Sequence, residues 1–118
     1  MDPDAFLQMC PSRGVLTRIG EKWCSLILAA LSEQPKRFGA LKRRLDGVSQ
    51  KMLSQSLRHL ERDGLVSRTV IDTRPLQVEY ALTELGHSLV PHVTAVKFWA
   101  EANLKAVEQA RQLYDSKA

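Results

Sequence analysis

Ser49 to Arg62 reads SQKMLSQSLRHLER, and its two faces decide the fold. At helical period Met52, Leu53, Leu57 and Leu60 fall on one side. Lys51, Ser54, Gln55, Arg58 and Arg62 fall on the other, the division expected of a helix with one buried face. Ser49 suits an N-cap, because its hydroxyl can accept from a free backbone N–H of the first turn. Gly64 suits the stop, where a left-handed residue is favoured. No acid lies between Gln50 and Arg58. Long cationic donors and amides are the groups that read base edges and hold phosphates, so the expectation is a DNA recognition helix.

The neighbours extend this reading. Phe38, Leu41 and Leu45 point a helix over Phe38–Leu45 inward, with Lys42, Arg43 and Arg44 outward. Asp46 and Gly47 make the turn into the opening stretch. Two short helices joined through a glycine-containing turn form a helix-turn-helix, and the second helix is the reader. Leu65–Asp72 is then β-branched and alternating, and Val78, Tyr80 and Leu82 alternate in a second strand, with Thr73-Arg74-Pro75-Leu76 as a hairpin loop carrying a basic tip. This hairpin is the wing of a winged helix.

Upstream, residues 1–11 form an arm in which Pro3 and Pro11 disfavour a long helix. A short helix is expected over Ser12–Ile19 with Val15, Leu16 and Ile19 inward, ending at Gly20. Trp23, Leu26, Ile27, Ala30 and Leu31 then mark a buried helix that Pro35 stops. Downstream, Thr83 caps a long helical stretch. Leu85, Leu89, Val93, Val96, Ala100, Leu104, Val107 and Tyr114 approximate one apolar stripe, and Pro91 is expected to kink or split it. Such a stripe on a neutral segment suggests a dimer interface at Leu89, Val93, Val96, Trp99 and Leu104. The plainer alternative is packing on the same chain. The expected fold is therefore mainly α with a β-hairpin wing. Residues 1–11 form the arm, 12–82 the winged helix-turn-helix DNA-binding domain, and 83–118 the dimerisation helices.

Charge is distributed unevenly along the 118 residues, whose formal net charge is +4. Lys36, Arg37, Lys42, Arg43, Arg44, Lys51 and Arg58 face a single acid, Asp46, within the segment that holds the reader. That is the footprint of a polyanion binder, although a solvated basic face would have the same composition. Cys10 and Cys24 are too few for a disulfide framework or a zinc set. No apolar run approaches the length of a membrane span, and Asp2 and Asp4 do not fit a secretory leader. A cytoplasmic protein with free thiols is expected. There is no glycine-rich phosphate loop and no nucleophile motif. His59, His87 and His92 are scattered, and no cofactor, metal site or enzyme activity is expected.

Cys10-Pro11, GEKW at Gly20–Trp23, KRFGALKRRL at Lys36–Leu45, GVSQKMLSQSLRHLERDGLV at Gly47–Val66, VEYALTELG at Val78–Gly86 and Leu89-Val90-Pro91 stand in the chain in that order. Together they resemble the HxlR-type, MarR-like winged-helix transcription regulators of bacteria. The resemblance spans roughly Cys10 to Ala100. It implies a dimeric DNA-binding repressor or activator, often autoregulatory. Some members resemble redox or electrophile sensors switched by an arm cysteine, and Cys10 takes that position. A thiolate is favoured near a helix N-terminus or a cation, and Pro11, the following helix start and Arg13 supply both. Cys10 as plain packing in the arm is the competing reading, and Cys24 reads as inert packing.

Within this frame Ser49, Gln50, Lys51, Ser54 and Gln55 lie at the end of the reader that enters the major groove. Gln can pair with adenine, and Lys or Arg with guanine, while Arg58 has a mixed role. Lys36, Arg37, Arg43 and Arg44 read as phosphate clamps, and Arg74 as a contact to backbone or minor groove. The partners are a double-stranded palindromic operator, a second copy of the chain, and an oxidant or small-molecule effector. Half-site centres are expected about one helical turn, ~34 Å, or a multiple apart. Two other readings compete. One is a winged helix docking an acidic protein partner. The other is a regulator released by a small ligand without thiol chemistry.

Overall fold

The computed structural model describes residues 2–117. Their order is α1 (Ser12–Gly20), α2 (Lys22–Glu33), β1 (Lys36–Arg37), α3 (Phe38–Arg44), α4 (Gln50–Arg62), β2 (Val66–Thr73), β3 (Leu76–Leu82), α5 (Glu84–Ala102) and α6 (Leu104–Ser116). This is a winged helix-turn-helix flanked by further helices, the expected fold class. Leu53, Leu57 and Leu60 of α4 close on Ile27, Leu28 and Leu31 of α2, Leu41 of α3, and Leu45 and Val48 of the turn. Cys24, Leu65, Val66 and Val93 complete that core. Burying a side chain of this size stabilises by about 1.5–3 kcal/mol, so α2 and α4 hold the body together.

Two backbone devices set the angles around α4. Gly47 in the preceding turn and Gly64 after its C-terminus have φ of 90° and 77°, a region that L side chains rarely adopt. Thr83 then locks the far side of this junction. Its side chain accepts from the Gly86 N–H and donates to the Gly64 carbonyl at 2.6 Å. A Cβ on Gly86 would lie 2.1 Å from the Leu65 carbonyl oxygen, so only glycine lets α5 approach the wing this closely.

The sheet has the order β1-β3-β2, antiparallel throughout. The hairpin pairs Val66 with Leu82 and Thr73 with Leu76, with an irregularity between Val70 and Asp72. The sequence gives no hint of β1, in which Lys36 and Arg37 pair with Tyr80 and Glu79. Two residues cannot show an alternation, and the pairing is formed with a strand distant in the chain.

Several expectations need correction. Val15 and Leu16 are 57% and 59% exposed, so only Ile19 of the expected inward set on α1 packs against the core. Met52 is exposed and Ser56 is buried in its place. Ser56 lies between Leu53 and Leu60 on the helix surface and is small enough to fit beneath α2. Pro91 does not split α5, which runs from Glu84 to Ala102. Leu89 and Val93 on either side of the proline pack on the core, which holds the helix together where Pro91 cannot donate a backbone hydrogen bond. The break comes at Asn103 instead, whose backbone and side-chain N–H groups both donate to the Trp99 carbonyl.

Candidate nucleic-acid interface

Ser49 caps α4 as expected, its hydroxyl accepting from the Met52 N–H at 3.0 Å. The first turn contains no acid, so the free N–H groups and positive dipole end of the helix are left to an anion. Gln50, Lys51, Gln55 and Arg58 are exposed and Ser54 is half-buried.

Between α4 and the wing runs an open groove of about 540 Å³, lined by Arg37, Phe38, Gly39, Gln50, Ser54, Arg68, Gln77 and Tyr80. It continues past Ser54 to Arg58, Glu61 and Arg68. Gln50, Ser54, Arg58 and Arg37 are thus gathered on one surface. Gln55 lines the opposite flank of α4, beside Lys22, Trp23 and His59. Arg68 joins the groove although it was not among the expected contacts. Its cross-strand partner is Tyr80, and the strand pattern alone did not say which face of β2 would lie beside the reader. Arg74 sits at the tip of the hairpin, where its backbone N–H donates to the Asp72 carboxylate.

The basic cluster divides by pairing. Lys36 has only 9% of its side chain exposed and lies 3.3 Å from Glu33. Arg44 donates through Nε and Nη2 to the two Glu33 oxygens at 3.1 and 2.8 Å. The Arg44 bonds hold the Glu33 carboxyl down at about 2, with Lys36 assisting. These two cations already have an anion. Arg37, Arg43, Lys51, Arg58, Arg68 and Arg74 have no ion pair among the described residues.

The two thiols differ more sharply. Cys10 is half-buried in the arm. Its sulfur lies 3.0 Å from the Ser12 hydroxyl, and the Asp4 N–H donates to it at 3.2 Å. Hydrogen bonds from the Ser12 side chain, then from the Ser12 and Asp4 backbones, hold the thiol below its ordinary value. Cys24 is fully buried. Burial, reinforced by the Glu21 carboxylate, pushes it up to about 12, which leaves it protonated and unreactive.

Of the apolar residues expected at a dimer contact, Val93 is 5% exposed and belongs to the protomer's own core, and Leu89 packs against it. Their position one turn apart on the inner side of α5 explains this. Val96, Trp99 and Leu104 are 69%, 60% and 53% exposed. Among the described residues no group of three or more His, Cys, Asp or Glu side chains could hold a metal ion. No described helix is long and apolar enough to cross a membrane.

Known proteins share this architecture. Over 106 residues the chain is 45% identical to the uncharacterized HTH-type transcriptional regulator YtfH of Escherichia coli K12, covering 90% of this chain and 84% of that protein. The solved structure of ytfH from Salmonella typhimurium superposes with a TM-score of 0.89 at 42% identity, covering 94% of this chain and 99% of the other. The redox regulator HypR in its oxidized form superposes with a TM-score of 0.72 at 40% identity, covering 80% and 97%. The reduced form of the transcriptional regulator YodB from B. subtilis gives 0.67 at 35% identity, covering 80% and 93%. The HxlR-like helix-turn-helix family model matches residues 18–108, so the chain belongs to the HxlR-like family of helix-turn-helix transcriptional regulators.

Proposed function

We propose that the protein is a homodimeric repressor that works in the cytoplasm on a palindromic operator, with one α4 reading each half-site. The observation that carries this is the groove that brings Gln50, Ser54 and Arg58 of α4 together with Arg37 and Arg68. Gln50, Lys51, Ser54 and Gln55 read base edges, Ser49 anchors the helix start, and Arg58 serves both base and backbone. Arg37, Arg43 and Arg68 hold phosphates, and Arg74 reaches backbone or minor groove from the wing tip. Lys36 and Arg44 contribute field rather than direct contact, since Glu33 already engages them.

The dimer is supported by shape. The radius of gyration is 17.1 Å, against about 13.5 Å for a compact chain of this length. Phe6 and Met9 of the arm, Leu16 of α1, Trp99 of α5 and Leu113 and Tyr114 of α6 are all well exposed. A second copy covers this surface, with residues 83–118 as its main contact beyond the inner turn of α5.

Cys10 is the thiol switch. One solved relative, the redox regulator HypR, is known in an oxidized and a reduced form. In this chain the arm thiol is the accessible one with a favoured thiolate. Its oxidation breaks the contacts to Ser12 and Asp4 and moves the arm against the dimer helices.

Footprinting on the chain's own upstream DNA, with and without diamide, tests both parts. Two protected half-sites are expected, lost on oxidation in the native protein and retained in Cys10→Ser. Affinity falls with salt by on the order of 0.9 log units per phosphate contact per log unit of salt. A flat salt response, or a Gln55→Ala/Lys51→Ala variant with unaltered sequence preference, overturns the reading of α4. A Cys10→Ser protein that still releases DNA on oxidation overturns the switch.

A further inference from the structure

Arg18, in the last turn of α1, reaches across to the C-terminal end of α4. Its Nη1 donates to His59 Nδ1 at 2.9 Å, and its Nε donates to the Asp63 carboxylate at 3.2 Å. The same guanidinium is 3.5 Å from Glu21 at the start of α2, and only 22% of the side chain is exposed. Among the described residues every hydrogen bond between α1 and α4 comes from Arg18. At the other end of α1, Arg13 donates to the carbonyls of Ala5 and Phe6 at 3.0 and 2.7 Å, and Ser12 holds Cys10. One short helix is therefore tied to the arm at its start and to α4 at its end.

We propose that Arg18 is a positioning residue that sets the angle of α4 against the body through His59 and Asp63. The proposal rests on the reading of α4 as the DNA reader. Arginine has donors only and keeps its proton. The His59 Nδ1 atom must therefore be the acceptor, and a neutral ring carries its proton on Nε2. Asp63 and Glu21 engage the rest of the same guanidinium. Arg18 is engaged by these partners rather than turned to the groove, so it acts on DNA only through α4.

The test uses the full chain, its own upstream duplex as probe, and the variants Arg18→Ala, Arg18→Lys and His59→Asn. Asparagine places an acceptor near the position of Nδ1. Arg18→Ala is expected to bind about tenfold more weakly with the salt slope of the native protein, and Arg18→Lys to recover part of the loss. His59→Asn, which keeps an acceptor, is expected to bind more tightly than Arg18→Ala. In the free protein, the ¹⁵N resonance of His59 Nδ1 is expected to report a hydrogen-bonded acceptor that Arg18→Ala abolishes. Unchanged affinity in Arg18→Ala, a reduced salt slope, a His59→Asn protein as weak as Arg18→Ala, or an unmoved Nδ1 resonance each overturns the clamp. A native protein that ignores the duplex overturns the reading of α4, and the free-protein resonance still decides whether the clamp exists.

Discussion

Helices α4 and α6 are each 13 residues long and each amphipathic in sequence, yet their fates differ. In α4 Leu53, Ser56, Leu57 and Leu60 are buried, and the polar side is what remains outside. In α6 no residue is buried, and Leu113 and Tyr114 are 66% and 77% exposed. The same pattern thus serves two purposes. A closed apolar face leaves the polar face of α4 as the surface it presents to solvent. An open apolar face in α6 makes the apolar residues themselves available to a partner.

Truncation inside each helix is the strongest way to break this contrast. Leu57→Ala removes a core side chain and is expected to cost about 2–5 kcal/mol of unfolding free energy. Leu113→Ala is expected to leave protomer unfolding within about 0.5 kcal/mol while weakening self-association in sedimentation experiments. Equal losses in chemical denaturation would erase the distinction. The cap offers a smaller effect. Ser49→Ala should cost about 1 kcal/mol and weaken specific binding without altering the oligomer. The smallest effect on stability is expected at the thiols. Cys10 should alkylate faster than a free cysteine at the same pH, because hydrogen bonds from Ser12 and Asp4 hold its thiol below the ordinary value, and its rate should plateau at lower pH. Cys24, raised to about 12, should react only after unfolding. Comparable rates for the two in a timed iodoacetamide assay would contradict the environments described for them.

Much of α4 was legible because its signals are local. The Ser49 cap, the Leu53/Leu57/Leu60 stripe and the Gly64 stop all lie within one helix and obey one period. Where reading failed, the cause was distant. Met52 and Ser56 exchange roles because α2 crosses closely enough to favour a small side chain, and no periodicity carries that information. Val15 and Leu16 read as inward because apolar residues usually are, but the body offers α1 only enough surface for Ile19. Arg44 reads as a phosphate clamp because its partner Glu33 lies at the end of another helix, and Lys36 does so because it stands beyond the end of α2, where helical spacing no longer shows which side chains meet. Arg68 is not marked by the strand pattern, because the face a strand turns to its neighbour depends on how β1, β2 and β3 register.

The two-residue strand β1 has a further consequence. It ties the wing to the residues that lead directly into α3, with Arg37 paired to Glu79 and Lys36 to Tyr80. The wing is therefore no loose flap. Together with α4 it forms a caliper whose jaws are fixed relative to each other. The span from Gln50 to Arg74 is therefore preset within one protomer. On the proposed reading, tolerance for different operators falls to the joint between two protomers rather than to the wing.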